Sequence, residues 1–160
     1  MPMPPDPGPG EALVKVRAVG ICGSDIHWWE DGRIGRRHSI YPQILGHEPA
    51  GEVIAAGPGV TFAPGDRVAV EPAINCGRCE PCRSGRHNLC AHSSFMGGPE
   101  FNGLFREYAL VPAANLVAVP EAMSDDDATL IEPLAIILHV LKLAPVAIGD
   151  TVAVVGAGPM

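Results

Sequence analysis

Four cysteines fall within 15 residues, spaced Cys76-x2-Cys79-x2-Cys82-x7-Cys90. Two-residue gaps let neighbouring sulfurs turn onto one ion, and four thiolates at about 2.3 Å make a closed, structural type of zinc site. The segment carrying them has no apolar periodicity, so a bound metal would supply its folding energy. An iron–sulfur cluster is a second reading. Bacterial ferredoxins run C-x2-C-x2-C-x3-C-P, whereas here the last gap is seven residues and Pro81 precedes Cys82. Unliganded thiols are a third. The fifth cysteine stands in Gly20-Ile21-Cys22-Gly23-Ser24-Asp25-Ile26-His27, and Gly46-His47-Glu48 and Glu132-Pro133 lie further along. A thiolate, an imidazole and carboxylates from three places could hold a zinc with one open position, the catalytic type. Spacing alone does not demand this, because a lone Cys is ordinarily a small buried hydrophobe and a lone His or Glu ordinarily serves structure.

Such side chains need a frame. Of 160 residues, 47% are hydrophobic and 18% charged, enough apolar material for a core and too little charge for a disordered chain or a coiled coil. Gly (19) and Pro (17) are abundant, which points to many short strands and turns. The net charge of −7 disfavours nucleic acid and anionic membranes as partners. The longest apolar run, 134–141, is interrupted by His139 and ends at Lys142. It is far shorter than the roughly 20 residues of a membrane span. Residues 1–10 form a Pro/Gly leader without the basic and apolar regions of a signal peptide, so the cytoplasm is the default location.

Alternation predicts strands over 11–19, 50–56, 67–70, 107–111 and 116–119, with loop-like chain over 20–35 and the Cys-rich lobe over 75–90. Ser124 before Asp125, Asp126 and Asp127 reads as a helix cap with acids in the first turn. Pro133 divides the connecting helices of 124–149 into pieces over 125–131 and 133–143. His139 is expected in the core, while His38, His87, His92, Arg33, Arg36 and Arg37 are expected to be structural or solvated. Residues 151–155 predict an apolar strand, and Gly156-Ala157-Gly158 follows at once, as at the opening of a dinucleotide-binding Rossmann unit.

Gly46-His47-Glu48-x2-Gly51-x5-Gly57-x2-Val60 resembles the zinc signature of the medium-chain alcohol dehydrogenases. So do Gly20 to Asp25, Pro64-Gly65-Asp66-Arg67-Val68, the four-Cys lobe and Val154-Val155-Gly156-Ala157-Gly158-Pro159, in that family's order. The stretch 22–35 and Ile131-Glu132-Pro133-Leu134 most resemble the sorbitol and xylitol dehydrogenase branch. The implied fold is mainly β: a GroES-like, partly open barrel over 11–123 with a zinc lobe, then helices, then the first strand of a truncated Rossmann domain over 150–160. The resemblance implies two zinc ions, one catalytic and one structural, with NAD or NADP as hydride acceptor. Cys22 and His47 match catalytic zinc ligands, with Glu48 or Glu132 as the carboxylate at the metal or its water. Cys76, Cys79, Cys82 and Cys90 match the structural zinc site, Asp25 the partner that orients His47, Ser24 and His27 the proton relay, and Gly156 and Gly158 the cofactor-binding turn. Trp28 stands where that branch has Tyr.

Adjacent side chains on a strand point opposite ways, so His47 and Glu48 can share an ion only if the chain turns between them. The implied reaction is hydride transfer from a polyol secondary alcohol to NAD(P), in a complete enzyme that is a homo-oligomer. The 160 residues alone are expected neither to bind dinucleotide tightly nor to turn over. Other zinc dehydrogenases of the family (threonine, butanediol, glucose), or a non-catalytic zinc-stabilised fragment, are the alternatives. A zincless quinone-reductase relative is opposed by Cys22, His47 and the lobe.

Overall fold

The computed structural model describes residues 3–158; the ends of the expected leader and of the expected cofactor turn, Met1, Pro2, Pro159 and Met160, lie outside the described residues. In chain order the elements are β1 (Glu11–Gly20), α1 (Gly23–Asp31), β2 (Arg33–Ile34), β3 (Arg37–His38), β4 (Glu48–Ala56), β5 (Arg67–Val70) and β6 (Ala73–Ile74). There follow α2 (Glu80–Arg83), β7 (Ser94–Phe95), β8 (Tyr108–Pro112), β9 (Leu116–Ala118), α3 (Asp125–Thr129) and α4 (Ile131–Leu143). Five strands form one antiparallel sheet in the order β8-β1-β4-β5-β9. The two end strands do not pair, so the sheet is open, in keeping with the mainly β, partly open architecture expected.

The β1–β4 register sets Val14 opposite Val53, with a bulge between Leu13 and Val14. The bulge breaks strict alternation, and Ala12, Leu13 and Val14 are all buried. Val14, Val53, Val68, Val111, Met96 and Leu104 form the main core. Ala50, Ala69, Val119 and Ala128 form a second cluster, against which Ile131 packs. Ser124 caps α3 as the sequence predicts, accepting a 3.0 Å bond from the Asp127 N–H. Pro133 sits in the first turn of α4, where its missing N–H costs nothing.

Three expectations fail. The segment read as loop contains the nine-residue helix α1. Residues 151–155 carry no strand and are exposed, because among the described residues no other strand offers a ladder to that run. His139 is exposed, not in the core: α4 has no buried residue, and only its first turns approach α3 and β4. Among the described residues no helix is long and apolar enough to cross a membrane.

One close approach fixes the approach to the site. The N–H groups of Gly103, Leu104 and Phe105 donate to the carbonyls of Ile44, Gly46 and Leu45 at 2.7–2.9 Å, clamping the chain just before His47. A Cβ at Gly103 would overlap the Leu45 and Gly46 carbonyl oxygens. Gly103→Ala is therefore expected to lower stability by about 1–3 kcal/mol, as overpacking does. Urea denaturation checks this, and an unchanged midpoint would contradict the clamp.

Candidate active site

The strand register builds the site. The pairing of β1 with β4 puts Gly20 opposite Glu48. Cys22 follows Gly20 by two residues and His47 precedes Glu48, so residues distant in sequence meet at one end of the sheet. Gly46 adopts φ +89°, a left-handed turn that suits glycine and brings the chain round immediately before His47. A Cys22 sulfur, a His47 ring nitrogen and a Glu48 carboxylate oxygen then lie within 4.8 Å of one another. The Glu48 carboxylate occupies the space where a Cβ on residue 20 would stand, so a larger residue there would push that carboxylate out of the cluster.

Helix α1 supplies the support. Asp25, 3% exposed, occupies its first turn, and its Oδ2 accepts the Cys22 N–H at 3.0 Å. Its Oδ1 accepts the Gly46 N–H at 2.9 Å and lies 3.4 Å from His47 Nδ1. One buried carboxylate thus ties together the two segments that carry the sulfur and the imidazole. With Nδ1 held by Asp25, Nε2 of His47 is left for a cation. Burial disfavours the His47 imidazolium, but the Asp25 carboxylate and then the Cys22 sulfur outweigh it, holding His47 up to about 9 from 6.5. Burial likewise opposes the Asp25 charge, yet His47 and the Gly46 N–H keep its carboxyl below the usual range. Asp25 and His47 thus favour each other's charged forms.

Around it lies a cleft of about 380 Å³ lined by Cys22, Ser24, Trp28, Arg37, His47 and Glu132, among others. Ser24 Oγ is 3.5 Å from His47 Nε2. The Phe95 ring packs against His47 at a centroid distance of 5.2 Å. Glu132 enters from α4 and stands outside the tight Cys22–His47–Glu48 cluster. Burial raises its carboxyl above the usual range; His47 offsets this in part, and Glu48 and Glu71 add to it. His27 is not brought to the cluster: its side chain is 65% exposed and meets Asp31 at 3.1 Å along the outer face of α1. Arg37, expected in a solvated loop, lines the cleft and pairs with Glu100 at 2.5 Å. No spacing signal marked it, since the β2–β3 hairpin that presents it is only two residues per strand. Gly156 and Gly158 lie in exposed coil.

The lobe is the second cluster. Ligand atoms of Cys76, Cys79, Cys82 and Cys90 all lie within 4.8 Å of one another, and all five cysteines are free. Cys79 Sγ and Cys90 Sγ stand 3.9 Å apart. A disulfide would need about 2.05 Å. A tetrahedron with bonds of about 2.3 Å has sulfur–sulfur edges of about 3.8 Å, so the spacing fits a single zinc. A cluster that spreads its thiolates over several irons would hold them further apart. The Arg78 and Cys79 N–H groups hold the Cys76 thiol down to about 6, while burial pushes Cys82 up to about 12. Four thiolates cannot coexist at this distance without a cation between them.

Residues 8–121 match the family model described as the alcohol dehydrogenase GroES-like domain. Sorbitol dehydrogenase of Bacillus subtilis (strain 168) is 45% identical over 157 residues, 98% of this chain and 44% of that protein. Galactitol-1-phosphate dehydrogenase from Escherichia coli is similar in structure with a TM-score of 0.83 at 36% identity, over 90% of this chain and 40% of that one. A structure described as a short chain alcohol dehydrogenase from E. coli CFT073, complexed with NADH, gives a TM-score of 0.78 at 42% identity, over 87% and 40%. The chain thus spans less than half the length of these relatives. Matched across most of its length, and with its β1–β4 pairing joining the motifs that the match contains, the chain belongs to the family of alcohol dehydrogenase GroES-like domains.

Proposed function

We propose that this chain is the catalytic portion of a zinc-dependent dehydrogenase that moves hydride from a polyol secondary alcohol to NAD(P). The observation that carries this reading is the Cys22, His47 and Glu48 cluster, within 4.8 Å, opening onto the cleft. Cys22, His47 and Glu48 would hold the catalytic zinc, with Glu132 facing it across the cleft, and Cys76, Cys79, Cys82 and Cys90 the structural zinc. Softness favours zinc over magnesium or calcium at both places, since thiolate and imidazole are poor ligands for hard cations. Bound zinc supplies acidity, lowering the pKa of coordinated water from 15.7 to about 7 and that of an alcohol comparably.

The chain's own groups do the rest. Asp25 fixes the His47 ring through Nδ1. Ser24 Oγ, beside His47 Nε2, would accept the substrate hydroxyl proton while releasing its own toward solvent, whereas His27, paired with Asp31 on the exposed face of α1, lies outside that route. Glu132 accepts a hydrogen bond from the neighbouring hydroxyl, which favours vicinal diols over simple alcohols. Trp28 can donate from its indole but not accept. Support for a polyol comes from the sorbitol and galactitol-1-phosphate dehydrogenases to which the chain is similar. NAD(P) is supported by the NADH-bound relative and by Gly156-x-Gly158. The uncovered apolar surface of α4 is where the cofactor domain of a complete, homo-oligomeric enzyme would pack. Five free thiols are consistent with a reducing cytoplasm.

Metal content tests the reading. Two zinc ions per folded chain, and NAD(P)-dependent polyol oxidation by the chain fused to the remaining part of the Bacillus subtilis sorbitol dehydrogenase, are expected. A single zinc confined to the four-Cys lobe would instead identify a non-catalytic zinc-stabilised module.

A further inference from the structure

One wall of the cleft is fastened differently from the rest. Residues 33–38, the β2–β3 hairpin, are all exposed and pack into neither core cluster, yet Ile34 and Arg37 line the cleft. The chain that leaves the hairpin is tied firmly to the opposite wall. Gln43 Nε2 donates to the Gly97 carbonyl, and the Ile44 N–H to Asn102 Oδ1, each at 3.0 Å. That wall is itself braced: the Gly97 N–H donates to the Phe101 carbonyl at 2.9 Å, and Gly98 pairs with Phe101. The hairpin itself has a single tie. Among the described residues its one side-chain bond to the rest of the molecule is Arg37 to Glu100, 63 residues away, at 2.5 Å. Glu100 stands two residues past Gly98, which lines the cleft opposite Arg37's own segment, so the pair bridges the two walls.

We propose that the β2–β3 hairpin is a flap over the cleft, rooted at Gln43 and Ile44, and that the Arg37–Glu100 pair is its latch. Glu100 is then a positioning residue: it acts on the cleft by holding Arg37 and Ile34 in its wall. Both partners are 55% exposed, and an ion pair of that kind is weak and screened by salt. Weakness suits a latch, which must release for a ligand to enter and leave. The root bonds are part-buried and do not depend on charge, so release frees the hairpin and leaves the opposite wall in place. The flap does not depend on the metal; only the second readout of its test rests on the proposed zinc in the cleft.

The test uses the zinc-loaded, 15N-labelled chain with Arg37→Glu, Glu100→Arg and the double swap of the two. Each single variant sets like charges face to face; the swap restores opposite ones. Backbone order parameters of residues 33–38, about 0.85 when latched, should fall to about 0.6 or lower in each single variant and recover in the swap. Should a single variant fail to fold, wild type in 1 M salt should show the same fall. The second readout is zinc withdrawal by a chromophoric chelator. Each single variant should release the cleft zinc about fivefold faster, with the lobe zinc unchanged and the swap restored. A cleft that takes up no zinc would sink the proposed function and leave the order parameters to decide the flap. Order parameters unchanged in both single variants, no recovery in the swap, or equal acceleration at both zinc sites would each overturn the latch.

Discussion

Stripping the lobe of its metal is expected to unfold residues 75–90 while the five-stranded sheet stays formed. The lobe has little else to hold it. Its helix α2 is four residues long, its other turn is a three-residue 3-10 segment, and Leu89 is 55% exposed. Its buried residues are chiefly the ligands themselves, Cys82 and Cys90, and it contributes nothing to the main core around Val14, Val53 and Val68. Structural zinc contributes about 10–16 kcal/mol to small domains of this kind, more than such a segment could recover from packing. Cys82→Ser removes one of four donors and should act as chelation does. Hydrogen exchange is the measurement. The N–H groups of Arg83, Ser84 and Cys90, which donate to Cys79, Glu80 and His87, should lose protection by about a hundredfold or more, and the β1–β4 amides should keep theirs. Protection that survives complete zinc removal would show a lobe that folds without metal. The effect should reach the cleft in weakened form, since the β6–β7 pair at the base of the lobe carries Phe95, which packs on His47.

The lobe was legible in the sequence because its ligands are local. Four cysteines within 15 residues define a site whatever the rest of the chain does. The Cys22, His47 and Glu48 cluster was not legible in that sense. It exists because the register sets Gly20 against Glu48, a tertiary fact that no window of sequence contains. Family resemblance named those residues; spacing alone left them as a small hydrophobe and two ordinary polar groups. Helix α1 was missed for a related reason. Ile26 and Trp29 face solvent and the residues buried are Asp25 and Trp28, so the helical period of the apolar residues is absent. The signs present were of another kind: an acid reaching back to the Cys22 N–H, and Gly32 at φ +62° closing the helix. The apolar run over 151–155 misled in the opposite direction. Hydrophobicity states that a segment wants cover; a strand also needs a neighbour to hydrogen-bond. The same holds for α4: Ile131 in its first turn packs against the second cluster, but the rest of its apolar surface and His139 are exposed.

Asp25→Ala should cost the cleft its metal while leaving the lobe loaded. The side chain is nearly fully buried and serves three groups, the Cys22 N–H, the Gly46 N–H and His47 Nδ1. Truncation strands all three, and each buried unsatisfied donor costs about 1–3 kcal/mol. Loss of the carboxylate behind a ligating histidine typically weakens metal affinity by about 10–100-fold. Here the loss should reach the upper end, because Asp25 also ties the Cys22 segment to the His47 segment. Asp25→Asn separates the two roles. Its amide oxygen can still accept one backbone N–H, so most of the stability should return. Without the negative charge, however, nothing orients Nδ1–H as strongly, and affinity should stay about tenfold below wild type. Zinc competition with a chromophoric chelator reads both sites in one titration. The expected record is one weakened zinc and one unchanged zinc for both variants, with the melting temperature lowered mainly in Asp25→Ala. If Asp25→Ala retained two zinc ions at wild-type affinity, the imidazole would be held by something other than Asp25, and the chain of contacts from α1 to β4 would carry no weight in forming the site.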